Sequence, residues 1–111
     1  VVTTPQKVAV IDAERAISMF QKLDVPVLGL IENMAWMELP DGSRPHPFGS
    51  GGGVETAAEY DVPLLAQVPF DARICEGGDK GIPAATRGDG PGAPFLAVGE
   101  AVAKALRRNA P

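Results

Sequence analysis

The side chains able to do chemistry in this sequence are few, and most follow two apolar runs. Asn33 stands directly after Val27-Leu28-Gly29-Leu30-Ile31, with Glu32 and Met34 on either side. A carboxamide presents a donor and an acceptor together, which is what the edge of an adenine requires. A purely local role, an Asn capping the last turn of a strand, fits the same position. Val68-Pro69-Phe70-Asp71 ends the second run. Pro69 cannot donate to a sheet ladder, so the turn can free backbone groups to face a ligand. The local account here is a strand end followed by a helix whose N-cap is Asp71.

Other candidates are weaker. Phe48-Gly49-Ser50-Gly51-Gly52-Gly53 leads into a helical stretch, and exposed amides at such a start attract anions. It lacks both the G-x-G-x-x-G spacing and the Gly-Lys-Ser/Thr ending, so a flexible hinge and helix cap is the reading. Cys75 has only Arg73 as a cationic neighbour, thin support for a reactive thiolate, and reads as an ordinary free cysteine. His46, between Pro45 and Pro47, has no second histidine or nearby cysteine and reads as a surface residue. Trp36 and Met37 read as local packing for a loop rather than as a stacking platform. No metal site is expected.

The elements that must position these residues follow from periodicity. Gln6 to Leu23 reads as an amphipathic helix, with Ala13, Ala16, Ile17, Phe20 and Leu23 on its buried face. Asp24-Val25-Pro26 stops it, because the residue before a proline is pushed out of the α region. Val27 to Ile31 then reads as a strand buried on both faces. The phrase recurs: a helical stretch, Val54 to Tyr60, then Asp61-Val62-Pro63, then the strand Leu64 to Val68. Two such units imply parallel strands joined by crossover helices. A closing helix has Pro94 in its first turn and a stripe of Phe95, Val98, Val102, Ala105 and Leu106. The fold class is therefore α/β, three αβα layers around mainly parallel strands. Between Pro40 and Gly53, 8 of 14 residues are Pro or Gly, and between Gly77 and Pro94 it is 9 of 18. Neither stretch can be regular throughout. Both leave from the carboxyl ends of strands, where α/β sheets bind ligands.

Composition narrows the function classes. The 111 residues suit one domain, 1–111, with 36–53 as a loop or hairpin insertion. A net charge of −4 argues against a polyanion binder, so no nucleic-acid partner is expected. A single cysteine and a single histidine exclude an internal disulfide framework and a conventional zinc site within one chain. No apolar run reaches membrane-spanning length, and no membrane partner is expected; the reading is a cytoplasmic protein. Val1-Val2-Thr3-Thr4-Pro5 opens as a strand without a preceding turn, as a piece of a longer protein would.

Taken together, Val2-Thr3-Thr4-Pro5-Gln6, Glu32-Asn33-Met34, Phe48-Gly49-Ser50-Gly51-Gly52 and Val68-Pro69-Phe70-Asp71 with Glu76-Gly77-Gly78-Asp79 resemble a known pattern in order and spacing. The chain is similar, over essentially its whole length, to the C-terminal portion of the Mrp/ApbC-type iron–sulfur cluster carrier ATPases. These belong to the deviant P-loop group that includes MinD and ParA. The resemblance implies a P-loop NTPase-type domain whose phosphate loop, magnesium ligand and switch aspartates lie upstream. It also implies that Asn33 reads the base edge while Pro69 and Phe70 line the base, with Asp71 beside them. ATP and magnesium are then expected for the intact protein. The expected partners are its own N-terminal half, a second copy of itself and iron–sulfur acceptor proteins.

One departure bears on the cargo. Many members carry Cys-Pro-x-Cys after Glu-Asn-Met, two pairs holding a bridging cluster across a dimer. Aligned on Pro40, this sequence has Leu39 and Gly42 there, and neither can ligate iron. Cys75 does not match the missing positions. The parent is expected to hydrolyse ATP, while this chain alone, without a P-loop, is expected to be inactive. Two rival readings are a partition or positioning ATPase of the MinD/ParA kind and a non-catalytic interaction module.

Overall fold

The computed structural model describes residues 1–109. Three parallel strands, β1 (Val2–Thr3), β2 (Leu30–Met37) and β3 (Leu64–Phe70), form one sheet in the order β1-β2-β3. Helices α1 (Lys7–Lys22) and α2 (Gly52–Glu59) make the two crossovers; α3 (Ala72–Lys80) and α4 (Ala93–Arg108) follow β3. Short 3-10 turns at Ala84–Thr86 and Gly90–Gly92 lead into α4. Helix α1 packs on β1 and α2, α2 on β2 and β3, and α4 on β3. The α/β class with parallel strands is thus the observed fold.

The repeated Asp-Val-Pro phrase is a helix stop, and its mechanism differs from the expected one. After α1, Asp24 N–H donates to the Gln21 carbonyl and Val25 N–H to Phe20. After α2, Asp61 N–H donates to Ala58 and Val62 N–H to Ala57. Both aspartates are left-handed, with φ of 57° and 53°. This is the Schellman arrangement, normally built on glycine. The helices therefore end before proline can act on them. Pro26 and Pro63 only keep the chain from re-entering a helix.

Leu30, on β2, meets Ile17 of α1 and Ala57 of α2 in the main cluster, completed by Val62. Several boundaries and faces depart from the sequence reading. Strand β2 starts at Leu30 rather than Val27 and runs on to Met37, so Trp36 and Met37 belong to the strand and not to a loop. Gly29 sits where a Cβ would lie 2.5 Å from the Leu65 side chain, so this segment packs against its neighbour before ladder pairing begins. Leu23 and Leu106, placed on buried faces, are 66% and 55% exposed, whereas Val10 is buried. The Schellman turn carries Leu23 outward, and Leu106 lies on the outer side of α4 next to buried Ala105. Helix α3 occupies the start of a stretch that Gly77 and Gly78 mark as irregular; the local reading of Asp71 as an N-cap is the part of the sequence argument that located it.

Candidate functional site

The carboxyl edge of the sheet is built around a break in β2. Asn33 pairs with Val68, and the next partners are Met37 and Phe70, so four steps along β2 match two along β3. At the break, Met34 adopts φ 53°, a left-handed conformation rare for a side chain of its kind. Its N–H turns back to donate to Asn33 Oδ1 at 3.0 Å. That bond fixes which end of the carboxamide is which and leaves the Nδ2 donors without a partner among the described residues. Asn33 is half-buried and lines a groove with Val1–Thr4, Ala13 and Ala16, beside the free edge of β1.

Pro69, Phe70 and Asp71 line a separate concavity, closed on its other side by Met37, Glu38, Leu39 and Pro40. The structure brings these three together; it does not join them to Asn33 in a single cavity. Asp71 is the N-cap of α3, accepting from Arg73 N–H at 2.9 Å and from its guanidinium at 2.7 and 3.0 Å. Those hydrogen bonds hold the Asp71 carboxyl below the usual carboxylate range and raise the Arg73 guanidinium in turn. The Phe70 ring meets Phe48 at 6.1 Å between centroids, tying the segment after β2 to the exit of β3.

That segment is held back on β2 itself. Met37 N–H donates to Pro45 O and Leu39 N–H to Ser43 O, around a turn closed by Gly42 N–H on Leu39 O. Arg44 lies 5.0 Å over the Trp36 ring and 3.1 Å from Glu38. Exposed His46 places Nδ1 3.0 Å from the Ala35 carbonyl. Leu39 and Gly42 sit at the tip of this turn. Cys75 is exposed on α3 with its Sγ 3.8 Å from Asp79 Oδ2. Among the described residues no cluster of three His, Cys, Asp or Glu side chains could hold a metal.

A residue that the sequence reading passed over is the most deeply buried charge in the region. Glu32 is 1% exposed; its Oε2 accepts from Gly53 N–H at 2.6 Å and its Oε1 from Gln67 Nε2 at 2.9 Å. The positive end of α2 thus already holds an anion, the protein's own carboxylate. Gly51 caps α2 with φ 85°, a Cβ on Gly52 would strike the Pro5 carbonyl, and one on Gly53 would lie 2.5 Å from Glu32 Oε2. The glycine run is therefore a close-packed joint and not the flexible hinge expected. A glutamate inside an apolar strand, with three successive glycines about twenty residues on, was the available signal.

A family model described as ParA, NUBPL iron-transfer P-loop NTPase, matches residues 1–105. An iron–sulfur cluster carrier protein from Synechocystis is 49% identical over 85 residues, covering 75% of this chain and 24% of that protein. One from Pyrococcus furiosus is 39% identical over 109 residues, covering 96% and 37%. Among solved structures, a nucleotide-binding protein from Archaeoglobus fulgidus in complex with ADP superposes with TM-score 0.59 at 35% identity, covering 70% of this chain and 32% of that one. The septum site-determining protein MinD from Pyrococcus horikoshii, complexed with Mg-ADP, superposes with TM-score 0.69 at 26% identity, covering 98% and 43%. The chain thus spans less than half the length of each of these relatives. By sequence and by fold, it belongs to the ParA/NUBPL family of iron-transfer P-loop NTPases, matching a C-terminal portion of its members.

Proposed function

We propose that this chain supplies the adenine side of the nucleotide site in an ATP-dependent iron–sulfur cluster carrier, together with a surface for a second copy. The observation that carries the reading is the left-handed step at Met34, which commits one lone pair of Asn33 and leaves its amide donors free at the carboxyl edge of the sheet. A free Nδ2 suits a ring nitrogen of adenine, and the second lone pair of Oδ1 can accept from the exocyclic amine. Pro69 brings no N–H to that edge, and Phe70 adds an apolar wall stiffened by Phe48. Asp71, already bonded to Arg73, acts there by holding the start of α3.

The described residues fit a base better than a triphosphate. The glycine-rich start of α2 is occupied by Glu32, and among the described residues no acidic cluster could hold magnesium. ATP with magnesium would therefore be held by this edge at its base and by the rest of the parent protein at its phosphates. Hydrolysis in that parent would proceed by positioning and charge stabilisation around the phosphates. This chain contributes no proton-transfer group to it.

The iron–sulfur cluster is cargo in this reading, passed to acceptor proteins from a homodimer in the cytoplasm. Leu39 and Gly42 at the exposed turn cannot ligate it, so that turn is left as a contact surface. The MinD superposition favours a second reading, a positioning ATPase acting at a membrane. Among the described residues no helix is long and apolar enough to cross one.

Photolabelling of the full-length protein with 2-azido-ATP tests the proposal, because its azide sits on the base itself, at C2 between the ring nitrogens N1 and N3. Label in peptides containing Asn33 or Pro69–Asp71, competed by ATP, is expected. Competed label confined to peptides outside this chain would overturn it.

A further inference from the structure

Glu32 is a buried titratable group for which base binding gives no direct use. Its side chain reaches α2, while Asn33, the next residue along β2, lines the groove beside β1. Burying a carboxylate is costly, and an apolar side chain of similar size in such a place is often as stable or more so. Here both carboxylate oxygens are satisfied, one by α2 and one by β3. The approach is so close that residue 53 must lack a Cβ. Glu32 also pairs through its backbone with Thr3 on one side and Gln67 on the other, two residues before the left-handed step at Met34. The last rung that joins all three strands and the start of α2 therefore meet at one carboxylate, next to Asn33 and the kink that follows it.

We propose that Glu32 is a positioning residue for base recognition: by bonding Gly53 N–H and Gln67 Nε2 it fixes β2 at the kink, and so fixes the direction of the Asn33 carboxamide. This rests on the adenine-edge reading of Asn33. The reach of the side chain is what matters. Glu32→Gln keeps that reach, and its amide can satisfy Gly53 and Gln67 if the Gln67 amide turns over. Glu32→Asp keeps the charge but is one methylene short of Gly53. Gly53→Ala leaves Glu32 intact and forces α2 away from it.

The test uses the full-length protein, with calorimetric titration of ATP and GTP, thermal melting, and hydrogen exchange across residues 38–53. Glu32→Asp and Gly53→Ala are each expected to lower ATP affinity about tenfold, roughly 1.4 kcal/mol. The preference for ATP over GTP should fall with it, and exchange at 51–53 should speed up. Glu32→Gln is expected to stay within about threefold of wild type on every readout, the tenfold step being the measure of a lost bond. A purely structural glutamate would lower the melting temperature in Glu32→Asp and leave the ATP-to-GTP ratio unchanged; that result overturns the inference. If Asn33→Ala also leaves the ratio unchanged, the base-edge reading itself has failed. If Asn33→Ala collapses the ratio while Glu32→Asp and Gly53→Ala do not, only the role of Glu32 has failed.

Discussion

Replacing a helical glycine by alanine ordinarily stabilises a helix, by about 0.5–1 kcal/mol. The structure predicts opposite signs for that change at two sites. Gly99 lies within α4 and a Cβ there meets nothing within 4 Å, so Gly99→Ala should follow the ordinary rule. Gly53 lies in the first turn of α2, where a Cβ would sit 2.5 Å from Glu32 Oε2 and 2.9 Å from Glu32 Cβ. Ordinary contact would require a displacement of about 1 Å, at an overpacking cost of about 1–3 kcal/mol. That displacement breaks the 2.6 Å bond from Gly53 N–H and leaves a carboxylate oxygen unpaired at a site 1% exposed, a further cost of about 1–3 kcal/mol. Subtracting the intrinsic helix gain leaves a net loss of about 1–5 kcal/mol. Urea denaturation followed by circular dichroism reads both variants on one scale. A Gly53→Ala variant as stable as wild type would contradict this, because the carboxylate joint would then tolerate a Cβ that the 2.5 Å approach excludes.

Asp61→Val should destabilise by about 1–2 kcal/mol, since a β-branched residue must then hold φ 53°, while Asp61→Gly should be neutral or stabilising by melting temperature. The Asp71 carboxyl titrates lower in the folded protein than unfolded, because Arg73 bonds its ionised form. Its contribution is therefore complete above the ordinary carboxylate range and is lost as pH falls through the lowered folded value. Stability measured from pH 6 downward should show that loss in wild type and lack it in Asp71→Asn. Anaerobic reconstitution of this chain with iron and sulfide should give no stoichiometric cluster, because one thiol per chain gives a dimer only two of about four thiolates. A stable visible absorbance lost in Cys75→Ser would contradict that.

The periodicity of apolar residues carried the architecture, because parallel strands buried under crossover helices write themselves as repeated helix, stop and apolar run. Where local pattern and structure differ, tertiary packing decides. Val27 and Leu28 look like strand, yet pairing begins only at Leu30, whose N–H reaches the Pro63 carbonyl. Gly77 and Gly78 read as breakers, yet they lie inside α3, where a Cβ on Gly77 would meet the Ile82 carbonyl. For the site, the residue types at Asn33 and Pro69–Asp71 were visible, but their distribution over two concavities was not. The left-handed Met34 has no composition signal, since glycine or asparagine is the usual marker of that conformation. Taken alone, Glu32 carries no sequence sign of its burial, because a charged residue in a strand ordinarily faces water.

The proposed adenine site stands or falls with Asn33 reading the base. In the full-length protein, calorimetric titration of Asn33→Ala with ATP and GTP measures it most directly. Leaving the partner groups of the base edge unpaired costs about 1–3 kcal/mol. ATP affinity should therefore fall roughly 5- to 150-fold, the preference for ATP over GTP should shrink, and the melting temperature should fall only by the loss of the one bond from Met34 N–H to Asn33 Oδ1. If Asn33→Ala binds ATP and rejects GTP as wild type does, Asn33 only caps the turn at Met34, and the adenine-side assignment of this chain is wrong.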